Sequence, residues 1–91
     1  MAVVIVTLRI MPESPDVDLS AVRDAGEKAI SDFGGKLHSS EEEPIAFGLK
    51  ALKLIFTMDE SLGGTDPLEE KISEIEGVQS VEAVDVRRAI G

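Results

Sequence analysis

The chain has 91 residues, 43% of them hydrophobic and 30% charged, which excludes a disordered segment and leaves room for one modest core burying about 60 to 65% of the unfolded surface. Eighteen acidic residues against nine basic ones give a net charge of −9, which opposes a nucleic-acid backbone and favours a partner with basic surface. Without cysteine there are no disulfides, thiol catalysts or thiolate metal sites, and the longest apolar stretch, Ala2 to Val6, falls far short of the roughly 20 residues that cross a bilayer, with no basic segment before it; a cytoplasmic protein, neither secreted nor membrane-anchored, is expected.

The run Ala2 to Met11 is rich in β-branched residues and closed by Pro12 and Pro15, so it reads as a first strand with Val4, Val6, Leu8 and Ile10 on one face. From Asp16 to Phe33, Leu19, Val22, Ala29, Ile30 and Phe33 recur at helical spacing, with acids early and Lys28 late, and Gly34-Gly35 ends the helix. Lys36 to Glu43 is polar and weakly alternating, which suits an edge strand ending at Pro44. Leu49 to Met58 is the second strong strand, with Leu52, Leu54, Phe56 and Met58 on one face and Ala51, Lys53, Ile55 and Thr57 on the other. Beyond the acidic loop Asp59 to Gly64, Asp66 stands as a predicted N-cap, with Pro67 at the first helical position and Glu69 three residues past the cap. Leu68, Ile72 and Ile75 form that helix's apolar stripe and Gly77 its predicted left-handed stop. Val78 to Val86 returns to a β pattern, and Arg87 to Gly91 forms a C-terminus with two adjacent basic residues. The order β-α-β-β-α-β predicts an α+β, ferredoxin-like split βαβ fold: a four-stranded antiparallel sheet with two helices on one face and the other face open. No repeat or linker divides the chain, so residues 1–91 are expected to form a single domain.

This fold hosts many functions, and each demands its own residues. Neither Gly34-Gly35-Lys36 nor Gly63-Gly64-Thr65 has P-loop spacing, so nucleotide hydrolysis by this chain is not expected. An RNA-binding sheet would display stacking aromatics, yet there is no Tyr or Trp, and of Phe33, Phe47 and Phe56 two sit in core patterns. The single histidine, His38, has no second imidazole, and the consecutive Glu41, Glu42 and Glu43 alternate between strand faces and cannot converge on one ion. No metal and no cofactor are therefore expected.

The run Pro44-Ile-Ala-Phe-Gly-Leu-Lys50, then a strand, then Gly64-Thr-Asp66 opening the helix Leu68-Glu-Glu-Lys-Ile72, resembles the exchange domain of the elongation factor 1-beta family. The similarity continues through Val78-Gln-Ser-Val-Glu-Ala-Val84 to the basic C-terminus, covers essentially the whole chain, and fits the length of the archaeal form. The resemblance implies a guanine nucleotide exchange factor that promotes GDP release from elongation factor 1-alpha in protein synthesis, with no covalent chemistry of its own and no direct nucleic-acid contact. It also implies where the GTPase is touched. Phe47 matches the aromatic of the family's aromatic-Gly-aliphatic-Lys motif and would serve as an anchor, with Gly48 permitting close approach and Lys50 completing the motif; core packing for Phe47, a plain turn for Gly48 and a solvated strand lysine for Lys50 are the competing readings. Arg88 falls where eukaryotic members carry a lysine that reaches toward the magnesium site, with Arg87 as its substitute, although Arg is not a point charge like Lys and three residues follow Arg88 where that pattern has one; a frayed basic tail is the competing reading. The rival function is a small-molecule-sensing regulatory domain that dimerises edge to edge, whereas the exchange reading expects a monomer. An acylphosphatase-like enzyme is disfavoured, because Met11 to Asp16 is acidic and lacks a glycine-rich, arginine-bearing phosphate loop.

Overall fold

The computed structural model describes residues 2–89. Strand β1 (Val3–Pro12) is followed by helix α1 (Leu19–Phe33), edge strand β2 (Lys36–Pro44) and strand β3 (Lys50–Asp59). A short 3-10 turn (Glu60–Leu62), helix α2 (Asp66–Ser73) and strand β4 (Val78–Arg88) complete the order, which is the β-α-β-β-α-β arrangement expected. Spatially the strands run β2-β3-β1-β4, all neighbours antiparallel. The two apolar strands thus sit in the middle, and the polar, glutamate-bearing β2 lies at an edge, where its charges discourage pairing with another molecule.

The core is the helix-facing side of the sheet. Val6, Leu8 and Ile10 of β1 and Leu54 and Phe56 of β3 are fully buried, with Leu52 and Met58 nearly so, and the β1–β3 register sets Val6 against Phe56, Leu8 against Leu54 and Ile10 against Leu52. Helix α1 contributes Val22, Ala29 and Ile30, and α2 contributes Leu68 and Ile72. A Cβ at Gly26 would come within 2.8 Å of the Leu54 side chain, so glycine there lets α1 lie closer to β3 than a larger residue would.

Several boundaries differ from the sequence expectation. Helix α1 starts at Leu19, three residues after the expected Asp16; Asp18 is its cap and accepts from the Ser20 amide at 3.0 Å, so the early acids precede the helix and no basic residue occupies its last turn. Helix α2 is capped by Thr65, not Asp66, which is the first helical residue. The Thr65 carbonyl accepts from the Glu69 amide at 2.8 Å while its hydroxyl donates to the Glu69 carboxylate at 2.7 Å, so Glu69 is held by threonine and the helix begins one residue early. Helix α2 stops at Ser73, so Gly77, left-handed as expected with φ of 93°, lies in the turn to β4 rather than at the helix terminus. Strand β4 runs on through Arg88; Ile90 and Gly91, the end of the basic C-terminal run, lie outside the described residues.

Phe56 is the largest of the fully buried side chains. Phe56→Ala is expected to lose about 3–5 kcal/mol, most of the stability of a domain this small. Urea denaturation followed by far-ultraviolet circular dichroism measures it, since the chain has no Trp or Tyr to report by fluorescence.

Candidate functional site

The β2–β3 hairpin closes through a tight turn. The Leu49 amide donates to the Ala46 carbonyl at 2.9 Å and the Ile45 amide to the Leu49 carbonyl at 2.9 Å. Its two central residues, Phe47 and Gly48, have φ of 56° and 78°. Positive φ at both centres is the type I′ geometry whose twist matches a hairpin and which favours Asn-Gly. Glycine meets that demand at position 48. Phe47 is the one non-glycine residue with positive φ among the described residues, and a bulky side chain there carries a cost on the order of 1 kcal/mol or more. Nothing in the fold recovers it, because Phe47 is 95% exposed. Core packing, the competing reading of this residue, is therefore excluded. Ile45, 40% exposed, stands beside it on the same turn, an apolar neighbour that the sequence reading did not single out.

Lys50 opens β3 opposite Pro44 and reaches only to 4.0 Å from Glu42, with both side chains about half exposed. It borders a hollow of about 430 Å³ between the hairpin and the β1–α1 loop, lined by Pro12, Pro15, Asp18 and Gly48 among others.

Arg87 and Arg88 lie at the far end of the sheet. Register pairs Arg88 with Val4, while Val4 pairs with Met58 at the end of β3. The strand between Lys50 and Met58 is about 27 Å long at roughly 3.4 Å per residue, so the five predicted contact residues form two groups and not one site. Within the second group the side chains diverge. Arg88 shares the helix-facing side with Val4, and Arg87, opposite Ile5, shares the open side. Arg88 is ion-paired with Glu60 of the 3-10 turn, and Arg87 with Asp85 at 2.9 Å. Glu60 could not be picked out from sequence, since it stands 28 positions from its partner; only strand pairing brings them together.

The open face carries a charge cluster across three strands. Arg9 and Lys53 are directly opposed on β1 and β3, and Glu43 of β2 sits between them, 3.0 Å from the Lys53 ammonium and 3.8 Å from the Arg9 guanidinium. The hydrogen bond and charge of Lys53, with a smaller contribution from Arg9, hold the Glu43 carboxyl below the ordinary glutamate range. The Ser61 amide, donating to Asp59 Oδ1 at 2.8 Å, does the same for Asp59. Among the described residues no group of His, Asp and Glu is arranged to hold a metal ion, and no helix is long and apolar enough to cross a membrane.

Two measurements follow. Phe47→Asn replaces the strained aromatic by a residue suited to the turn, so it is expected to raise stability by about 0.5–1 kcal/mol, a gain of roughly 3–6 °C in melting temperature for a domain this size. Lys53→Gln removes the main cause of the Glu43 shift, so the Glu43 carboxyl should titrate at higher pH in a carboxyl-carbon NMR titration. Because both carboxyls are lowered in the folded state, their contribution is present above the unfolded carboxylate range and is lost as pH falls through the lower folded values; the variant should lose less stability across that acidic window.

The chain matches the family model described as the EF-1 guanine nucleotide exchange domain over residues 5–89. It is 48% identical over 88 residues to an elongation factor 1-beta of Methanothermobacter thermautotrophicus, covering 97% of this chain and 98% of the relative. It is 50% identical over 88 residues to that of Methanobrevibacter smithii, with the same coverage, and 44% identical over 89 residues to that of Staphylothermus marinus, covering 97% and 98%. Among solved structures, one titled BlrP1 BLUF aligns with 100% of this chain and 57% of its own length at a TM-score of 0.54 and 20% identity, a likeness of fold alone. A family model matched over residues 5–89 and relatives matched over nearly their whole length lead to one conclusion: the chain belongs to the elongation factor 1-beta guanine nucleotide exchange family, whose role is nucleotide exchange in translation.

Proposed function

We propose that this chain acts in the cytoplasm as a monomeric, single-domain exchange factor over residues 1–91, and that it drives GDP release from the translational GTPase elongation factor 1-alpha. It performs no covalent step. An exchange factor must bind the nucleotide-free GTPase more tightly than the GDP-bound form, and linkage then obliges it to weaken GDP binding by the same factor. The work is done by contacts that exist only when the nucleotide site is disturbed.

The observation that carries the reading is Phe47, held at positive φ and 95% exposed on the family's motif. A fold retains a strained, solvent-facing aromatic when a partner covers it, and buried aromatics dominate binding energy at protein interfaces. In this reading Phe47, backed by Gly48 and Lys50, anchors one end of the molecule on the GTPase. At the other end Arg88, or Arg87 from the opposite face, brings a cation toward the metal and phosphate site, where its charge substitutes for that of magnesium. The separation of the two groups along the sheet makes the interface long, so the factor grips the GTPase at two places. A net charge of −9 suits a basic partner surface and speeds encounter with it, and it disfavours direct binding to nucleic acid.

The test is release of a fluorescent GDP analogue from the cognate archaeal elongation factor 1-alpha. The wild-type chain should accelerate release, Phe47→Ala should reduce the acceleration by about ten-fold or more, and Arg88→Ala should reduce it while leaving the melting temperature within a few degrees of the parent, since an exposed ion pair contributes little to folding. No acceleration of an active cognate GTPase would overturn the assignment.

A further inference from the structure

Beside Arg88, on the helix-facing side of the sheet, the core is left open. Helix α1 lies over β2 and β3, and α2 has only 8 residues, so the end of the β1–β4 pair has no helix above it. The result is a groove of about 550 Å³ between these strands and the segment from Glu60 to Asp66. Val86 shows how incomplete the cover is. It pairs with the fully buried Val6 on the core side of the sheet, yet it is 59% exposed. Val4, Ala83 and Val86 make the apolar floor, and Glu60, Asp66 and Glu69 contribute to the rim. Glu60 is neutralised by Arg88, but Asp66 and Glu69 have no cation within salt-bridge distance among the described residues; Glu69 is held only by the Thr65 hydroxyl.

The chemistry selects the occupant. An apolar floor offers nothing to a hydrated ion, and the acidic rim repels phosphate or carboxylate. A second copy of this chain would bring another −9 of charge to the same place. A peptide segment that carries an aliphatic or aromatic side chain flanked by Lys or Arg satisfies both floor and rim. We propose that this groove is a docking site for such a basic, apolar segment on the partner GTPase, forming a third contact next to Arg88 and distinct from the Phe47 turn. The proposal rests on the exchange reading above.

Binding to the nucleotide-free cognate GTPase by calorimetry, in parallel with GDP release, tests it with Val86→Glu and with the double variant Asp66→Asn, Glu69→Gln. Val86→Glu should weaken binding by roughly ten-fold, and the double variant by about three-fold with a flatter dependence on salt. Circular dichroism melts verify folding, and Ala83→Glu, at a second exposed position of the floor, carries the test if Val86→Glu does not fold. If the wild type accelerates release, Phe47→Ala impairs it, and the groove variants behave as wild type, the groove proposal is overturned while the exchange reading stands. If the wild type neither binds nor accelerates an active GTPase, both fall. If light scattering instead shows a wild-type dimer that Val86→Glu dissociates, the groove belongs to a second copy and the proposal is likewise wrong.

Discussion

The antiparallel pairing of β1 with β3 is the interaction on which the rest of the molecule depends. Val6 against Phe56, Leu8 against Leu54 and Ile10 against Leu52 form a buried apolar surface down the middle of the sheet, and burial of such side chains stabilises by about 1.5–3 kcal/mol each. A slip of one residue would turn all of them to the open face and expose them, so the register is strongly specified. Every candidate contact residue inherits its position from that register. The hairpin turn is held at one end of the sheet because β3 begins there, and Arg88 is held at the other because β4 pairs with the same β1.

Stability and the proposed partner contact pull apart at the hairpin. A type I′ turn built for folding alone would carry Asn or Gly where Phe47 stands, and an aromatic in solvent adds a further penalty for exposed apolar surface. The rigid two-residue geometry compensates in another way. It presents the ring from a backbone pinned by the Ile45–Leu49 and Ala46–Leu49 hydrogen bonds, so little freedom is left to lose on binding. The C-terminal group is different. Arg88 is engaged by Glu60 in the free chain, an exposed pair that is easily exchanged for a stronger partner.

The acidic surface is organised rather than diffuse. On the open face Glu43 sits between the opposed cations Arg9 and Lys53, which offsets their like-charge repulsion across the strands. Near the groove the acids outnumber the cations, and two of them, Asp66 and Glu69, occupy the first turn of α2, where the helix dipole favours negative charge. One set of charges thus supports the sheet, and the other leaves a field that a basic partner can meet.

Much of this was readable in one dimension. Period-two runs in Val3–Pro12 and Lys50–Asp59 and helical spacing in Leu19–Phe33 are local properties of the chain, so the element order and the burial of Leu52, Leu54, Phe56 and Met58 follow from periodicity alone. The motif around Phe47 was equally visible, which is why the exchange family could be suggested from residues 44–50 and their continuation. Helix ends were less legible, because Thr65 and Asp66 are both competent caps and the choice depends on which of them Glu69 meets. Whether Phe47 packs inside or points outward was decided only by the folded hairpin, which leaves it 95% exposed. The separation of Arg88 from Phe47, the divergence of Arg87 and Arg88 to opposite faces, the Glu60 partner and the open groove over Val86 depend on strand order, register and helix length together. Local sequence determines what each segment can become; which segments meet is set by long-range pairing, and contacts between distant residues leave no trace in the neighbourhood of either one.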